Sequence, residues 1–226
     1  MELDVVGCQV RILDTNLEVS PSMQRYQTWI NEETVDAEAI AALRFVEFPL
    51  VNPTILARRE YFELQFNDGD YPEDYDLMLR AAQLGFRFGK IDEILFDWID
   101  SPVGLTRSDS RYSDEAFMRC RRRHLLSGPL RDTDVVDLWG VGKKGKAWLR
   151  WLHSGTDIRV RHAYDVADRK VGETIHGAKV DHTNALRSAD GVPLLIAVGA
   201  ANARQTILPQ IQVQGFQSGQ DAWFVS

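Results

Sequence analysis

The chain has 226 residues, 44% of them hydrophobic and 26% charged, with a formal net charge of −7. This composition is typical of a globular protein, and the acidic balance argues against a basic nucleic-acid-binding face, so we expect no nucleic-acid partner. No apolar run approaches the ~18 residues of a membrane span, and the acidic opening 1–4 is unlike a signal peptide. Two distant cysteines, Cys8 and Cys120, indicate reduced thiols in a cytoplasmic protein.

The first half of the chain mixes strands and helices. The β-branched segment 2–13 predicts a strand that begins without a lead-in, and 17–19 could return as a second strand. Further patterns predict a helix at 36–46, a strand at 55–57, a helix from residue 58, a pair of short strands at 86–89 and 90–98, and a helix from 113 to about 126.

The stretch 68–85 is an acidic loop that runs into an apolar helix. Glu73 and Asp74 fall in the first turn of that helix, where the helix dipole favours negative charge. Asp76 and Arg80 are four residues apart and are expected to pair on the exposed side. Two interpretations stay open: these acids only start the helix, or one of them is a catalytic carboxylate presented at its N-terminus.

Three other features of this half bear on a possible site: a group of arginines, one tryptophan and the histidines. Arginines at 119 and 121–123 form either a solvated helix face or a clamp for an anionic substrate. Trp98, beside a polar loop, is either a core anchor or a platform for stacking a sugar. The five histidines are scattered without metal-ligand spacing, so no metal site is predicted.

The pattern changes after the linker at 127–134, which separates a predicted first domain at 1–128 from a second at 134–226. Beyond the linker, strands alternate with helices, which predicts an α/β domain with a parallel sheet covered by helices. Four clear strands are expected, at 135–139, 158–164, 193–199 and 221–225, with helices at 146–153 and 202–214.

A glycine-rich turn follows the first strand of this second domain. Gly140, Gly142 and Gly145 fit the pattern G-x-G-x-x-G, which permits a tight turn, close approach of a pyrophosphate and close packing of helix on strand. Asp165 ends the next strand, where an acid could bond a ribose hydroxyl. The turn predicts either a nucleotide-binding site or a Rossmann-like module that only packs or assembles.

Several segments of the first half also occur in the order of a known family, at residues 3–8, 52–59, 72–86, 95–98 and 105–107. On these segments, residues 1–126 resemble the C-terminal half of a family 2 glycosyltransferase with a GT-A fold. The resemblance implies that Asp74 is the catalytic base, which takes the proton of an acceptor hydroxyl during inverting transfer from a nucleotide-sugar. Glu73 would order the loop. The resemblance further implies that four residues contact the acceptor or the diphosphate: Asp70, Asn52, Arg107 and Arg111.

This resemblance extends to the whole chain. Residues 134–226 resemble the small Rossmann-like module appended to some of these transferases, and nucleotide-sugar or CoA-binding halves of sugar-modifying enzymes. The implied protein is a partial GT-A-like mixed sheet followed by a Rossmann-like domain, a fragment of an enzyme of polysaccharide biosynthesis.

The implied partners are a nucleotide-sugar donor and a glycan or lipid-linked acceptor. No cofactor is expected within this chain, because divalent Mg or Mn would come only with the missing N-terminal half. A homo-oligomer is left open. The alternative is a non-catalytic nucleotide-binding or assembly module built on the Rossmann-like domain.

Overall fold

A computed structural model describes residues 2–14, 19–101, 104–200 and 202–226. The chain divides into two compact units, Met1–His124 and Leu125–Ser226. Most of the strand expected at 17–19 lies outside the described residues. Among the residues that are described, no helix is long and apolar enough to cross a bilayer.

The first unit holds a small sheet and six α-helices among its described residues. Its strands are β1 (Val5–Asp14), β2 (Leu56–Ala57) and β3 (Phe88–Asp100). Its helices are α1 (Pro21–Thr28), α2 (Ala37–Leu43), α3 (Arg59–Glu63), α4 (Glu73–Gln83), α5 (Leu105–Ser108) and α6 (Asp114–Ser127), the last of which runs past the unit boundary.

The sheet of the first unit has the order β2-β1-β3, with β1 antiparallel to β2 and parallel to β3. The pair of short strands predicted at 86–98 is wrong, because β3 is one strand of 13 residues. β1 pairs with it over its whole length and absorbs irregular steps around Gln9. Irregular pairing of this kind interrupts the regular alternation of residues along a strand, so the sequence pattern predicts two strands in place of one.

A side-chain amide completes the other edge of β1. Asn31 donates through Nδ2 to the carbonyl of Val10 at 2.7 Å, and its Oδ1 accepts from the N–H of Val10 at 3.0 Å. Gln27 likewise accepts from the N–H of Ile12 at 2.6 Å. These groups satisfy backbone donors and acceptors that β2, which pairs at Val5 and Val6, does not reach.

Helix α4 confirms the helix predicted in the acidic stretch. Pro72 precedes its first residue, and Gly85, with φ of 86°, lies just beyond its end. The expected pair between Asp76 and Arg80 forms at 2.8 Å, but its predicted exposure is wrong because Asp76 is fully buried. Helix α6 covers that side of α4 and brings His124 onto the carboxylate.

Among its described residues, the second unit is a six-stranded sheet with two long helices. Its elements are β4 (Val135–Trp139), α7 (Lys143–Gly155), β5 (Arg159–Asp165), β6 (Thr174–Ile175), β7 (Ala178–His182), β8 (Leu194–Ile196), α8 (Ala203–Val213) and β9 (Ala222–Phe224). The strand order is β6-β7-β5-β4-β8-β9, and every neighbouring pair except β6–β7 is parallel.

The four strands predicted for this unit are present, but the sheet also contains β6 and β7. They form a tight hairpin whose turn, His176 and Gly177, has positive φ at both residues. The five parallel strands follow the order 3-2-1-4-5 of a Rossmann sheet, with the reversal between β4 and β8. The α/β class and the parallel Rossmann-like sheet are therefore confirmed.

Candidate functional site

The carboxyl ends of β4 and β8 form the topological switch point of the second unit. Ligands of open α/β sheets bind outside the carboxyl ends of the strands at such a point. Each of these strands leads into a helix, α7 after β4 and α8 after β8. Both helix N-termini therefore lie at this edge, with the glycine turn at the start of one of them.

The three glycines of the turn have different surroundings. A Cβ on Gly140, where φ is 95°, would lie 2.6 Å from Cγ2 of Val198, and a Cβ on Gly145 would lie 1.8 Å from the carbonyl oxygen of Gly140. Both residues must be glycine for the turn to close and the helix to pack. At Gly142, by contrast, no described atom lies within 4 Å of such a Cβ. Space for a ligand is therefore open at the second glycine.

The start of α7 concentrates positive charge. Gly142 caps the helix without a side-chain hydrogen bond, and its first turn carries Lys143 and Lys144 but no acid. Cations at a helix N-terminus add to the positive end of the helix dipole, and no acid in this turn offsets them. An anion bound to the unpaired N–H groups would neutralise this charge. The Lys144 side chain also passes 3.2–3.4 Å from where a Cβ on Gly199 would stand, just after β8.

Asp165 lies at the end of β5 and folds back onto the glycine turn. Its Oδ2 accepts from the N–H of Val141 and from Nζ of Lys170, both at 2.9 Å, and its Oδ1 accepts from the N–H of Ala167 at 2.9 Å. Burial raises the pKa of this carboxyl, but the bonds from Lys170 and the two N–H groups outweigh it and hold the pKa below its usual value. A carboxylate offers about four acceptor positions, so one remains on Oδ1.

In the first unit, the structure brings together three of the residues predicted to form a catalytic site. Glu73 accepts from the Tyr112 hydroxyl at 2.7 Å and lies 3.7 Å from Arg111. Arg111 also donates to Asp109 from Nε and Nη2, at 3.0 and 2.7 Å. Beside them, burial raises the pKa of Asp74 to about 6, with Glu73 reinforcing the shift and the N–H of Tyr75 opposing it.

The other residues predicted to contact substrate lie in separate contacts. Asp70, on the surface, pairs with Arg119 of α6 at 3.2 Å, and Arg107 pairs with Asp100. Asn52 opens a short 3-10 turn and is exposed. Trp98 packs edge-on against Tyr26 beside a buried cluster of β1, so part of its ring serves the core. Among the residues predicted to contact substrate, Arg111 contacts a first-turn acid, Glu73.

No model of a known protein family matches the chain. Its similar curated proteins are redox-sensing transcriptional repressors. Over 85 residues it is 35% identical to the redox-sensing transcriptional repressor Rex of Geobacillus kaustophilus (strain HTA426) and 32% identical to that of Geobacillus sp. (strain WCH70). Each match covers 36% of this chain and 40% of the relative. The chain therefore matches less than half the length of either protein.

Two solved structures are distantly similar. They are the crystal structures of RSP, a Rex-family repressor, and of RSP in complex with beta-NADH, each at 12% identity and a TM-score of 0.36. The matches cover 49% of this chain and 61% and 62% of those chains. A likeness this distant carries no argument about function.

The comparisons overturn the glycosyltransferase assignment. Since the relatives are repressors by name, the family, the transfer reaction, the nucleotide-sugar donor, the glycan or lipid-linked acceptor and the role in polysaccharide biosynthesis are wrong. The GT-A part of the fold class has no support either. Glu73 and Asp74 lie in the first turn of a helix, where the helix dipole favours acidic residues. Their match to the transferase motif therefore has an explanation that involves no catalysis.

The exclusion of nucleic acid as a partner is overturned as well, because the relatives are named as transcriptional repressors. That exclusion rested on a net charge of −7. Net charge is a sum over the whole chain, whereas binding to nucleic acid depends on how charge is distributed over one face.

One polar cluster was missed by the sequence analysis. Asp76, Cys120 and His124 meet in the first unit with their potential ligand atoms within 4.8 Å of one another, and all three are buried. The available signal was the spacing of Cys120 and His124, which lie four apart on α6 and hence on the same face. Asp76 comes from α4, and no local pattern connects it with them.

Proposed function

We propose that the unit Leu125–Ser226 binds a dinucleotide at its glycine turn and acts as a sensing module without catalysis of its own. The observation that carries the proposal is the division of roles among the glycines. Gly140 and Gly145 leave no room for a Cβ, while Gly142 faces open space. A turn that only packed the helix would not need a glycine at the open position.

The surrounding residues suit the two parts of such a ligand. The diphosphate would bind to the N–H groups at the start of α7, with Lys143 and Lys144 supplying positive charge. A ribose hydroxyl would donate to the remaining acceptor position on Oδ1 of Asp165. The bonds from Val141 and Lys170 would hold that carboxylate ionised and oriented beside the turn.

The nicotinamide class is the part of the proposal that comes from the relatives, which are named as redox-sensing. NADH and NAD⁺ are therefore the first probes. Because the match covers 40% of those relatives, we propose nucleotide binding and sensing for this unit and no further activity. A cytoplasmic location, in which Cys8 and Cys120 stay reduced, belongs to the same proposal.

Calorimetric titration of the full chain with NADH, NAD⁺, ADP and CoA tests the proposal. We expect saturable binding of NADH or NAD⁺, and a loss of at least about 10-fold in affinity for Gly142→Val, because the valine side chain would occupy the space of the pyrophosphate. Lys143→Ala and Lys144→Ala should each weaken binding. Lys179→Ala removes the same charge near the start of strand β7, away from the carboxyl ends of the parallel strands, and should leave the affinity unchanged.

Two outcomes would overturn the proposal. One is no heat with any of the four ligands while circular dichroism shows a folded chain. The other is equal affinity for Gly142→Val and the unmutated chain. After the first outcome the unit would be an assembly module, which sedimentation of the same samples would detect as a concentration-dependent oligomer; after the second, the nucleotide would bind away from the glycine turn.

A further inference from the structure

The buried cluster between α4 and α6 contains three chemically different side chains that can bind a metal ion. Cys120 and His124 lie one helical turn apart on α6, and Asp76 faces them from α4. Their potential ligand atoms lie within 4.8 Å of one another. We propose that Asp76, Cys120 and His124 bind a zinc ion in the interior of the first unit.

The spacing of the three residues is close to what zinc requires. With bonds of ~2.0 Å to nitrogen or oxygen and ~2.3 Å to sulfur, tetrahedral ligand atoms are roughly 3.5 Å apart. The observed upper limit of 4.8 Å can contract to this value by rotation of side chains. Thiolate, imidazole and carboxylate together are a donor set that zinc favours over magnesium or calcium.

The imidazole of His124 and the carboxylate of Asp76 already face each other. Nε2 of His124 lies 2.8 Å from Oδ1 of Asp76. These are the two atoms that would bind the ion, which would take the place of their hydrogen bond.

A second set of hydrogen bonds orients Asp76. Its Oδ2 accepts from Nε of Arg80 at 2.8 Å and from Nδ2 of Asn67 at 2.9 Å. Arg80 is itself tied to the carbonyls of Leu64 and Gln65. These bonds turn Oδ1 toward the cluster, and such outer contacts typically orient the ligands of metal sites.

The charge of the cluster also fits a divalent cation. A carboxylate and a thiolate would together offset the two positive charges of zinc, while Arg80 holds the other oxygen of the same carboxylate at 2.8 Å. The neighbouring arginines of α6 have other contacts: Arg119 binds Asp70, Arg121 lies over the ring of Phe117, and Arg123 donates to the hydroxyl of Tyr71.

Metal content of the full chain tests this proposal. The protein is stripped with a chelator, incubated with zinc, desalted and analysed by mass spectrometry of the metal. We expect one zinc per chain. Cobalt in place of zinc should give the near-ultraviolet charge-transfer band of a cobalt–thiolate bond. Cys120→Ala and His124→Gln should lose both signals, whereas Cys8→Ala, which removes the other free buried cysteine, should keep them.

A variant outside the ligand set separates zinc binding from a purely structural role. Asn67→Ala removes an exposed residue that donates a hydrogen bond to the far oxygen of Asp76, and it should weaken zinc affinity about 10–100-fold. Zinc that stays far below one per chain in the unmutated protein would overturn the proposal. So would a cobalt band that survives in a folded Cys120→Ala or is lost in Cys8→Ala. The spectra of the unmutated chain and of Cys8→Ala decide the matter if the α6 variants do not fold.

Discussion

Arg161 holds both carboxylate oxygens of Asp137, a residue that is fully buried in the central strand β4. Nε of Arg161 donates to Oδ1 at 3.1 Å and Nη2 donates to Oδ2 at 2.7 Å, and the N–H of His162 adds a third bond at 3.1 Å. The other face of the guanidinium reaches Asp190, which is far more exposed. The middle of the Rossmann-like sheet thus contains an ion pair where apolar packing is the usual solution.

The two carboxylates that Arg161 binds should contribute very differently to the free energy of unfolding. Arg161→Met leaves a buried, uncompensated charge at Asp137, so the free energy of unfolding should fall by about 3–5 kcal/mol. Asp190→Asn removes only the exposed partner and should cost less than about 1 kcal/mol. Urea unfolding of the two variants measures both values. Similar losses for the two would show that Asp137 is not the stabilising partner.

The glycine turn predicts opposite effects at two of its positions. Alanine at Gly145 would place its Cβ 1.8 Å from the carbonyl oxygen of Gly140, so helix α7 must move, at a cost of about 1–3 kcal/mol or more. Alanine at Gly142, which meets no described atom within 4 Å and has φ of −71°, should leave the melting temperature nearly unchanged. Thermal unfolding followed by circular dichroism compares them. Equal melting temperatures would contradict the close packing of helix and turn.

The contribution of Asp165 to stability should depend on pH. Its pKa is lowered in the folded chain, so the stabilisation is fully present above the unfolded pKa of about 3.9 and is lost as pH falls through the folded pKa. At neutral pH, Asp165→Asn should be less stable by about 1–3 kcal/mol. Urea unfolding over a pH series should show this difference shrinking below about pH 4. A difference that stays constant into strong acid would refute the ionic origin.

Asp74 should behave in the opposite way, because its pKa is raised to about 6. Ionisation of such a carboxyl is penalised in the folded state, so stability falls as pH rises from about 4 through about 6. Asp74→Asn should therefore gain about 1–3 kcal/mol on the unmutated chain above pH ~7, at 1.36 kcal/mol per pKa unit, and nothing near pH ~4.

Carbon-13 NMR of the side-chain carboxyls measures this shift directly. Asp109 is the control, because hydrogen bonds from Arg111 lower its pKa below 3.8. Two carboxyls on neighbouring elements should thus titrate on opposite sides of the ordinary value. Titration of Asp74 near 4 would show that the carboxyl is well hydrated.

The second unit was largely predictable, because its signals are local. Each strand of the pattern is a short apolar run, and the glycines fix where the turn lies between strand and helix. The hairpin of β6 and β7 escaped because β6 has two residues and its turn uses His176 at φ of 47°, a conformation that non-glycine residues seldom adopt.

The first unit was less predictable, because its decisive contacts are distant in sequence. Asp76 is polar and falls beside an acidic helix start, so local pattern placed it on the exposed side. Its burial depends on His124, 48 positions further along the chain. Family likeness was misleading for a related reason: a helix start rich in acids satisfies both a motif and the helix dipole, and letters alone do not separate the two.

The amide of Asn31 has a consequence for association between chains. An uncovered strand edge is a template on which another chain can add a strand. The side chain of Asn31 occupies both the N–H and the carbonyl of Val10, so a strand of another chain cannot pair there. The first unit therefore guards one edge of its small sheet against intermolecular β-pairing with side-chain amides, and Asn31→Ala would reopen it to aggregation at Val10.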